Sequence, residues 1–70
     1  MDREYVQSSN LKSIGYDPNT ATLEVEFHNG AIWQYYDVLE STFHELKSAS
    51  SVGKYFNSNI KGQYSEGQIG

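Results

Sequence analysis

The sequence predicts a small α+β domain, a three-stranded antiparallel meander followed by two C-terminal helices. Three observations support this fold class. Residues 22–28 alternate apolar and polar side chains, as a half-buried strand does. Asn29-Gly30 follows as a hairpin signal, and a second aromatic segment follows that signal. Val52, Phe56 and Ile60 are spaced four residues apart, which places them on one face of a helix.

The first part of the chain is expected to contribute one short strand. Residues 1–7 show no pattern, so we expect a loose N-terminal lead-in there. Residues 11–16 alternate weakly and predict the first strand. The next four residues, 17–20, predict a turn, because Pro18 fixes φ at the second turn position and the Asp17 carboxylate can accept a backbone hydrogen bond.

The hairpin that follows admits two registers. A two-residue loop pairs Phe27 with Ile32. A three-residue loop, with Gly30 in the left-handed conformation, pairs Phe27 with Ala31. Since side chains alternate along a strand, a slip of one residue between these registers moves every side chain of the returning strand to the other face of the sheet.

The register also decides the roles of Trp33 and Tyr35. The two-residue loop puts Gln34 on the core face and leaves both aromatic residues outside, where they are candidate ligand contacts for base stacking. The three-residue loop puts Trp33 and Tyr35 on the core face with Val25. We favour the three-residue loop, because it places only apolar and aromatic groups in the core.

Two helices are expected in the C-terminal half. Asp37 and Glu40 have the spacing of a capping box, which predicts a helix over residues 40–48. Ser50 and Ser51 are expected to end that helix and to cap the last one. The side chains that the first helix is expected to bury are Leu39, Phe43, Leu46 and Ala49. Residues 65–70 contain two glycines, so we expect a disordered tail after a domain over residues 8–64.

Charge is unevenly distributed along the 70-residue chain, whose net charge is −4. Residues 46–65 contain three lysines and no acidic residue, which indicates a local anion-attracting patch or, alternatively, an ordinary solvated helix face. The candidate ligand-binding residues are Lys47, Lys54, Asn57 and Lys61, with Tyr36 and Tyr55 as candidates for stacking on a base.

Several motifs resemble the KTSC domain family. They are Ser8-Ser9-Asn10, Ile14-Gly15-Tyr16-Asp17, Phe27-His28-Asn29-Gly30 and Ser51-Val52-Gly53-Lys54-Tyr55-Phe56-Asn57, with Ile60-Lys61 and Tyr64. The family's central Tyr-x-Tyr reads Trp33-Gln34-Tyr35 here, and a proline often found at the start of its first helix is Leu39. The family takes its name from the C-terminus of some lysyl-tRNA synthetases and includes small bacterial and phage proteins. The resemblance implies a role in RNA binding and no catalytic residues.

Catalytic and metal-binding patterns are missing from the sequence. There is no Gly-x-Ser-x-Gly, no pair of catalytic carboxylates and no phosphate-cradling glycine loop. Glu24, Glu26 and His28 alternate on one strand face, and solvated polar residues explain that pattern better than a metal site. We therefore expect no enzyme activity, no metal and no cofactor.

The function that these patterns favour is a noncatalytic binding module for RNA or a phosphate-bearing nucleotide. The alternative is a protein–protein adaptor, or a small phage protein that binds a host factor or sequesters a nucleotide signal. The chain has no cysteine, no signal-peptide pattern and no apolar run near 20 residues, which predicts a cytoplasmic protein without a membrane partner. Self-association is also expected to be open to a domain of this size.

Overall fold

A five-stranded antiparallel sheet with two helices on one face makes up the computed structural model, which describes residues 1–70. The strands and helices follow the chain in the order β1 (Arg3–Tyr5), β2 (Leu11–Asp17), β3 (Thr22–Phe27), β4 (Ile32–Tyr35), α1 (Glu40–Ser48), α2 (Val52–Asn59) and β5 (Glu66–Gln68). The strands have the same order in the sheet as along the chain, with β1 at one edge and β5 at the other. Neither helix has the length and apolar character needed to cross a membrane.

The prediction of three strands is therefore wrong in number, although the α+β class and the two helices are confirmed. The expected loose lead-in contains β1, which pairs with β2, and the expected disordered tail contains β5, which pairs with β4. Close backbone approach makes the first pairing possible. A Cβ at Gly15 would lie 2.5 Å from the carbonyl oxygen of Asp2, so only glycine leaves room for β1 there.

The hairpin between β3 and β4 has the three-residue loop that the sequence favours. The Phe27 N–H donates to the Ala31 carbonyl at 2.9 Å, and Gly30 has a φ of 94°. Val25 then pairs with Trp33 across the two strands. The predicted register is therefore confirmed. It directs the side chains of Trp33 and Tyr35 toward the helices.

Helix α1 spans the predicted residues, but its N-terminal cap differs from the prediction. Leu39, not Asp37, is the N-cap residue, and no side chain bonds to the helix start. Asp37 has a φ of 59° and forms a tight bend instead. This bend buries Val38 completely and leaves Leu39 70% exposed, so the expected burial of Leu39 is wrong. Phe43 and Leu46 are buried as predicted, and Ala49 is half-buried.

Helix α2 begins as predicted and ends earlier than its motif suggests. The Ser51 side chain accepts a hydrogen bond from the Lys54 N–H at 3.3 Å, which caps the helix. The helix ends at Asn59, and Gly62 follows with a φ of 75°, the left-handed conformation that commonly terminates helices. Lys61 therefore lies in a turn after the helix.

The core lies between the sheet and the two helices, and Phe56 is at its centre. The Phe56 ring meets Phe27 edge-on with 5.6 Å between ring centroids, and meets Tyr35 edge-on at 5.5 Å. Ile60 is completely buried in the same cluster. The predicted meeting of Phe27, Phe56 and Ile60 in one core is thus confirmed.

The opposite face of the sheet carries a connected polar network. Arg3 on β1 donates to Ser13 on β2 and to Glu24 on β3, and Gln34 on β4 donates to Glu24 at 2.9 Å. The Tyr36 hydroxyl then donates to Gln34 at 3.2 Å. Although this face has no covering helix, the network shields its members from water, and only 6% of Glu24 is exposed.

Candidate functional site

A cleft of about 450 Å³ opens beside the core, on the helix-covered side of the sheet. The loop before β2, the β3–β4 hairpin, the end of α2 with the turn after it, and β5 all contribute to its wall. These segments are far apart in sequence, and three of them carry the motifs quoted above. The meeting of these motifs makes the cleft the strongest candidate for a functional site.

The floor of the cleft is aromatic. Phe27, Trp33, Tyr35 and Phe56 all line it. Tyr35 and Phe56 are each 3% exposed, so they belong mainly to the core. Phe27 and Trp33 are half-buried, and their remaining surface lines the cleft. Trp33 is therefore a core residue on one side and an accessible aromatic surface on the other.

Hydrogen bonds fix the rim of the cleft at the loop before β2. The Ser8 hydroxyl accepts from the N–H groups of Asn10 at 3.3 Å and Leu11 at 3.2 Å. His28 Nε2 lies 2.9 Å from the Ser8 carbonyl oxygen, which can only accept, so Nε2 carries the proton. A Cβ at Gly53 would lie 3.1 Å from the Ser8 hydroxyl, so the loop packs tightly against α2. Ser8, His28 and Gly53 thus hold the rim in place.

Several polar groups of the cleft have no partner within the protein. The side-chain amides of Asn10 and Asn57 make no hydrogen bond, and Lys61 and Glu66 form no ion pair. Three of the five cations of the chain, by contrast, are paired with acids, namely Arg3, Lys12 and Lys47. The cleft therefore offers one free cation, one free carboxylate and two free amides beside aromatic surface.

Tyr35, a buried residue, adds a hydroxyl that is open to the cleft. No hydrogen bond within the protein involves that hydroxyl, and Glu66 is its neighbour across the β4–β5 pair. Burial and the negative charge of Glu66 raise the pKa of Tyr35 to about 12. The hydroxyl is accordingly protonated at neutral pH and is able to donate a hydrogen bond.

The structure does not gather the six predicted ligand-binding residues into one patch. Only Asn57 and Lys61 line the cleft. Lys47 binds Glu4 at 3.0 Å and lies over the Phe43 ring, 5.9 Å from its centroid. Lys54 is exposed on α2 and does not line the cleft.

The two predicted stacking residues also lie outside the cleft. Tyr36 belongs to the polar network on the opposite face of the sheet. The Tyr55 hydroxyl donates to Glu45 at 2.7 Å and joins α2 to α1. That hydrogen bond, together with burial and the charge of Glu45, raises the pKa of Tyr55 to about 12. Tyr55 therefore has a clear structural role.

Sequence reasoning missed Asn10, His28 and Glu66 as residues of the cleft. The sequence signal for Asn10 and His28 was that each belongs to one of the quoted motifs, neither of which has a catalytic pattern. The structure brings these two motifs together at the cleft. Glu66 gave no signal, because β5 pairs with β4 without any alternation of its own.

Comparisons with known proteins agree with the motifs. A family model described as the KTSC domain matches residues 7–64. A protein of Stutzerimonas stutzeri, described as uncharacterized, is 44% identical over 64 residues, which are 91% of this chain and 90% of that protein. A lysine–tRNA ligase of Nostoc sp. is 40% identical over 63 residues, and the match spans 90% of this chain but only 11% of the ligase. The crystal structure of a KTSC domain protein from Yersinia pestis has a TM-score of 0.93 at 40% identity, covering 99% of this chain and 97% of that one.

Proposed function

Since the chain belongs to the KTSC domain family, we propose that it is a noncatalytic module that binds RNA or a phosphate-bearing nucleotide. The observation that carries this proposal is the cleft, where the accessible side of Trp33 lies in the same wall as the free Lys61 ammonium and the free Asn57 amide. Proteins bind single-stranded nucleic acids by stacking bases on aromatic side chains and placing cations near phosphates. The similarity to part of a lysine–tRNA ligase supports RNA as the ligand, because the name of that enzyme includes a tRNA.

The charge of the chain limits this binding to short ligands. With a net charge of −4, the protein repels a long polyanion. Lys54 and Lys61 are the two cations without an acidic partner, so about two phosphates can be neutralised. The logarithm of affinity should then fall with the logarithm of salt concentration with a slope of about −1.4, because each phosphate contributes about 0.7 on single strands.

A titration of fluorescently labelled single-stranded RNA oligonucleotides at two salt concentrations tests the proposal. Lys61→Glu should abolish binding, because it puts a second negative charge in the cleft. Lys12→Glu is the matched control, since it makes the same change of charge at a lysine that pairs with Glu26 outside the cleft. Equal binding by the two variants, or no binding by the parent chain, would contradict the proposal.

A protein–protein adaptor is a second candidate, and exposed apolar side chains favour it. Tyr5 is 79% exposed and Leu39 is 70% exposed, and exposed apolar side chains of this size are what a protein interface can cover. A second copy of this chain or another protein could cover them. Such an interface should respond little to salt, whereas phosphate binding should weaken with the slope of about −1.4 given above. We also propose a cytoplasmic location, where RNA and nucleotides are available.

A further inference from the structure

We infer that the cleft receives one unpaired nucleobase that carries an exocyclic amino group beside a ring nitrogen acceptor, as adenine and cytosine do, with its amino group at Glu66 and its phosphate at Lys61. This inference rests on the proposed function and deepens it by naming the chemistry of the base. It predicts discrimination against uracil, which a stacking platform alone would not provide.

The size of the cleft fits a single nucleotide. Its volume of about 450 Å³ lies in the lower half of the range of ~300–1,000 Å³ found for small-molecule sites. A row of stacked bases needs an extended groove, and the aromatic surface here is confined to neighbouring side chains of one hairpin. An unstacked base that enters alone can be bound on its Watson–Crick edge, as single-stranded RNA commonly is.

The charges of the cleft call for a ligand with both an anionic and a hydrogen-bond-donating part. Lys61 and Glu66 both line the cleft and neither is neutralised within the protein. A purely anionic ligand would gain from Lys61 and be repelled by Glu66. A carboxylate accepts hydrogen bonds and cannot donate them, so Glu66 favours an amino group and disfavours the carbonyl that uracil presents at the equivalent position.

Tyr35 supplies the second half of the recognition. The residue is 3% exposed, yet its hydroxyl has no partner in the protein and lies in the wall of the cleft beside Glu66. No buried polar side-chain atom lacks a partner, so this hydroxyl is open to the cleft and a ligand can reach it. A hydrogen bond to the ligand replaces one to water, and it therefore contributes to specificity. The hydroxyl can donate to a ring nitrogen while Glu66 accepts from the adjacent amino group. Adenine and cytosine present an amino group next to such a nitrogen, and uracil presents a carbonyl next to an N–H.

Titrations with AMP, CMP and UMP, followed by NMR of the Lys61 and Trp33 side chains, test this inference. We expect AMP and CMP to bind about tenfold more tightly than UMP. Glu66→Gln should reduce that preference to about twofold or less, because an amide can donate to the uracil carbonyl as well as accept from an amino group. Tyr35→Phe, which retains the ring, should weaken AMP and CMP binding more than UMP binding.

Glu40→Gln is the matched control, since it makes the same chemical change at an exposed position on α1 away from the cleft, and it should keep the preference. Thermal melting of each variant establishes that it is folded. Equal affinity of the parent chain for all three nucleotides would overturn this inference and leave the proposed function intact. A preference for AMP and CMP that persists in Glu66→Gln would overturn the assignment of Glu66. Absence of binding to all three nucleotides would overturn this inference, and the RNA titration described above then decides the proposed function separately.

Discussion

Phe56 is the residue on which the packing between α2 and the sheet depends most. It is 3% exposed and contacts two other aromatic rings. We expect Phe56→Ala to lower the free energy of unfolding by about 3–5 kcal/mol, the usual cost of truncating a buried aromatic side chain. A domain this small lies near the low end of the ~5–15 kcal/mol range of protein stability, so the loss removes most of its stability and part of the variant should be unfolded at room temperature. Thermal melting by circular dichroism measures this loss. Tyr5→Ala, at an exposed aromatic residue, should melt within a few degrees of the parent chain.

Tyr55 makes the free energy of unfolding sensitive to pH in the alkaline range. Its pKa is raised to about 12, with the hydrogen bond to Glu45 as the largest cause, whereas the unfolded value is near 10.0. A raised pKa means that the folded state favours the protonated hydroxyl, so this stabilisation is complete below pH 10 and is lost as pH rises toward 12.

Melting temperatures measured between pH 8 and pH 11.5 should therefore fall steeply above pH 10. Tyr35, whose pKa is also raised to about 12, contributes to the same fall. Tyr55→Phe should melt lower than the parent at pH 8 and should lose less stability between pH 10 and pH 11.5. A parallel fall in parent and variant would show that the Tyr55–Glu45 hydrogen bond does not form in solution.

At the scale of elements, a charge pair attaches β1 to the rest of the sheet. Arg3 donates to Glu24, and Glu24 is 6% exposed. Arg3→Met would leave a nearly buried carboxylate without its cation, which we expect to cost about 3 kcal/mol, at the low end for buried pairs because Arg3 is partly exposed.

The double variant Arg3→Met with Glu24→Met should be more stable than Arg3→Met alone, since it removes the unpaired charge as well. Urea denaturation of the parent, both single variants and the double variant completes the cycle. Additive losses would show that the pair is not coupled and that β1 is attached by its other contacts, namely its backbone hydrogen bonds, the Arg3–Ser13 hydrogen bond and the Glu4–Lys47 ion pair.

The C-terminal strand can be detected directly by hydrogen exchange. The Ile69 N–H donates to the Ile32 carbonyl at 2.8 Å, and the Tyr36 N–H donates to the Ser65 carbonyl at 2.9 Å. Both amides should exchange at least tenfold more slowly than the amide of Asn29 in the β3–β4 hairpin turn, which donates no hydrogen bond, because they take part in the sheet. Exchange of the Ile69 amide at the rate of an unstructured peptide would instead support the disordered tail that the sequence predicts.

Elements were predictable where local chemistry and burial agreed. The β3–β4 register followed from the sequence because only one register makes the core face entirely apolar. The capping box at Asp37 failed for a tertiary reason. The Val38 N–H donates to the Ala21 carbonyl at 2.9 Å and Val38 is fully buried, so the chain is drawn toward the sheet before the helix begins. The strands β1 and β5 are three residues each, and they form because they pair with β2 and β4. That pairing is not visible in so short a stretch of sequence.

At the scale of the whole molecule, the cleft was only partly predictable, because it exists only after distant segments meet. Helical spacing grouped Lys54, Asn57 and Lys61, and the end of α2 at Asn59 removes Lys61 from that face. Lys47 was expected to be free, and a strand that the sequence did not predict brings Glu4 to it. Asn57 and Lys61 nevertheless reach the cleft, as parts of the motif that first drew attention to this end of the chain.

Trp33 reports on the cleft as a whole, since it is the single tryptophan of the chain. Its side chain is half-buried, so acrylamide should quench its fluorescence to an extent between that of a buried and that of a free indole. Saturating AMP should reduce the quenching, because a base that occupies the cleft covers the accessible face of the ring. Unchanged quenching at saturation would place the nucleotide elsewhere on the protein.

The sequential order of the strands has a practical consequence for attaching anything to this domain. The two ends of the chain leave from opposite edges of the sheet, and the C-terminal edge strand contributes Glu66 to the cleft. A fluorescent protein, an affinity tag or a neighbouring domain joined after residue 70 would therefore stand beside the opening and hinder entry. The same cargo joined before residue 1 would emerge from the far edge, so N-terminal fusions are the ones suited to binding assays, and a C-terminal dye is suited to sensing occupancy.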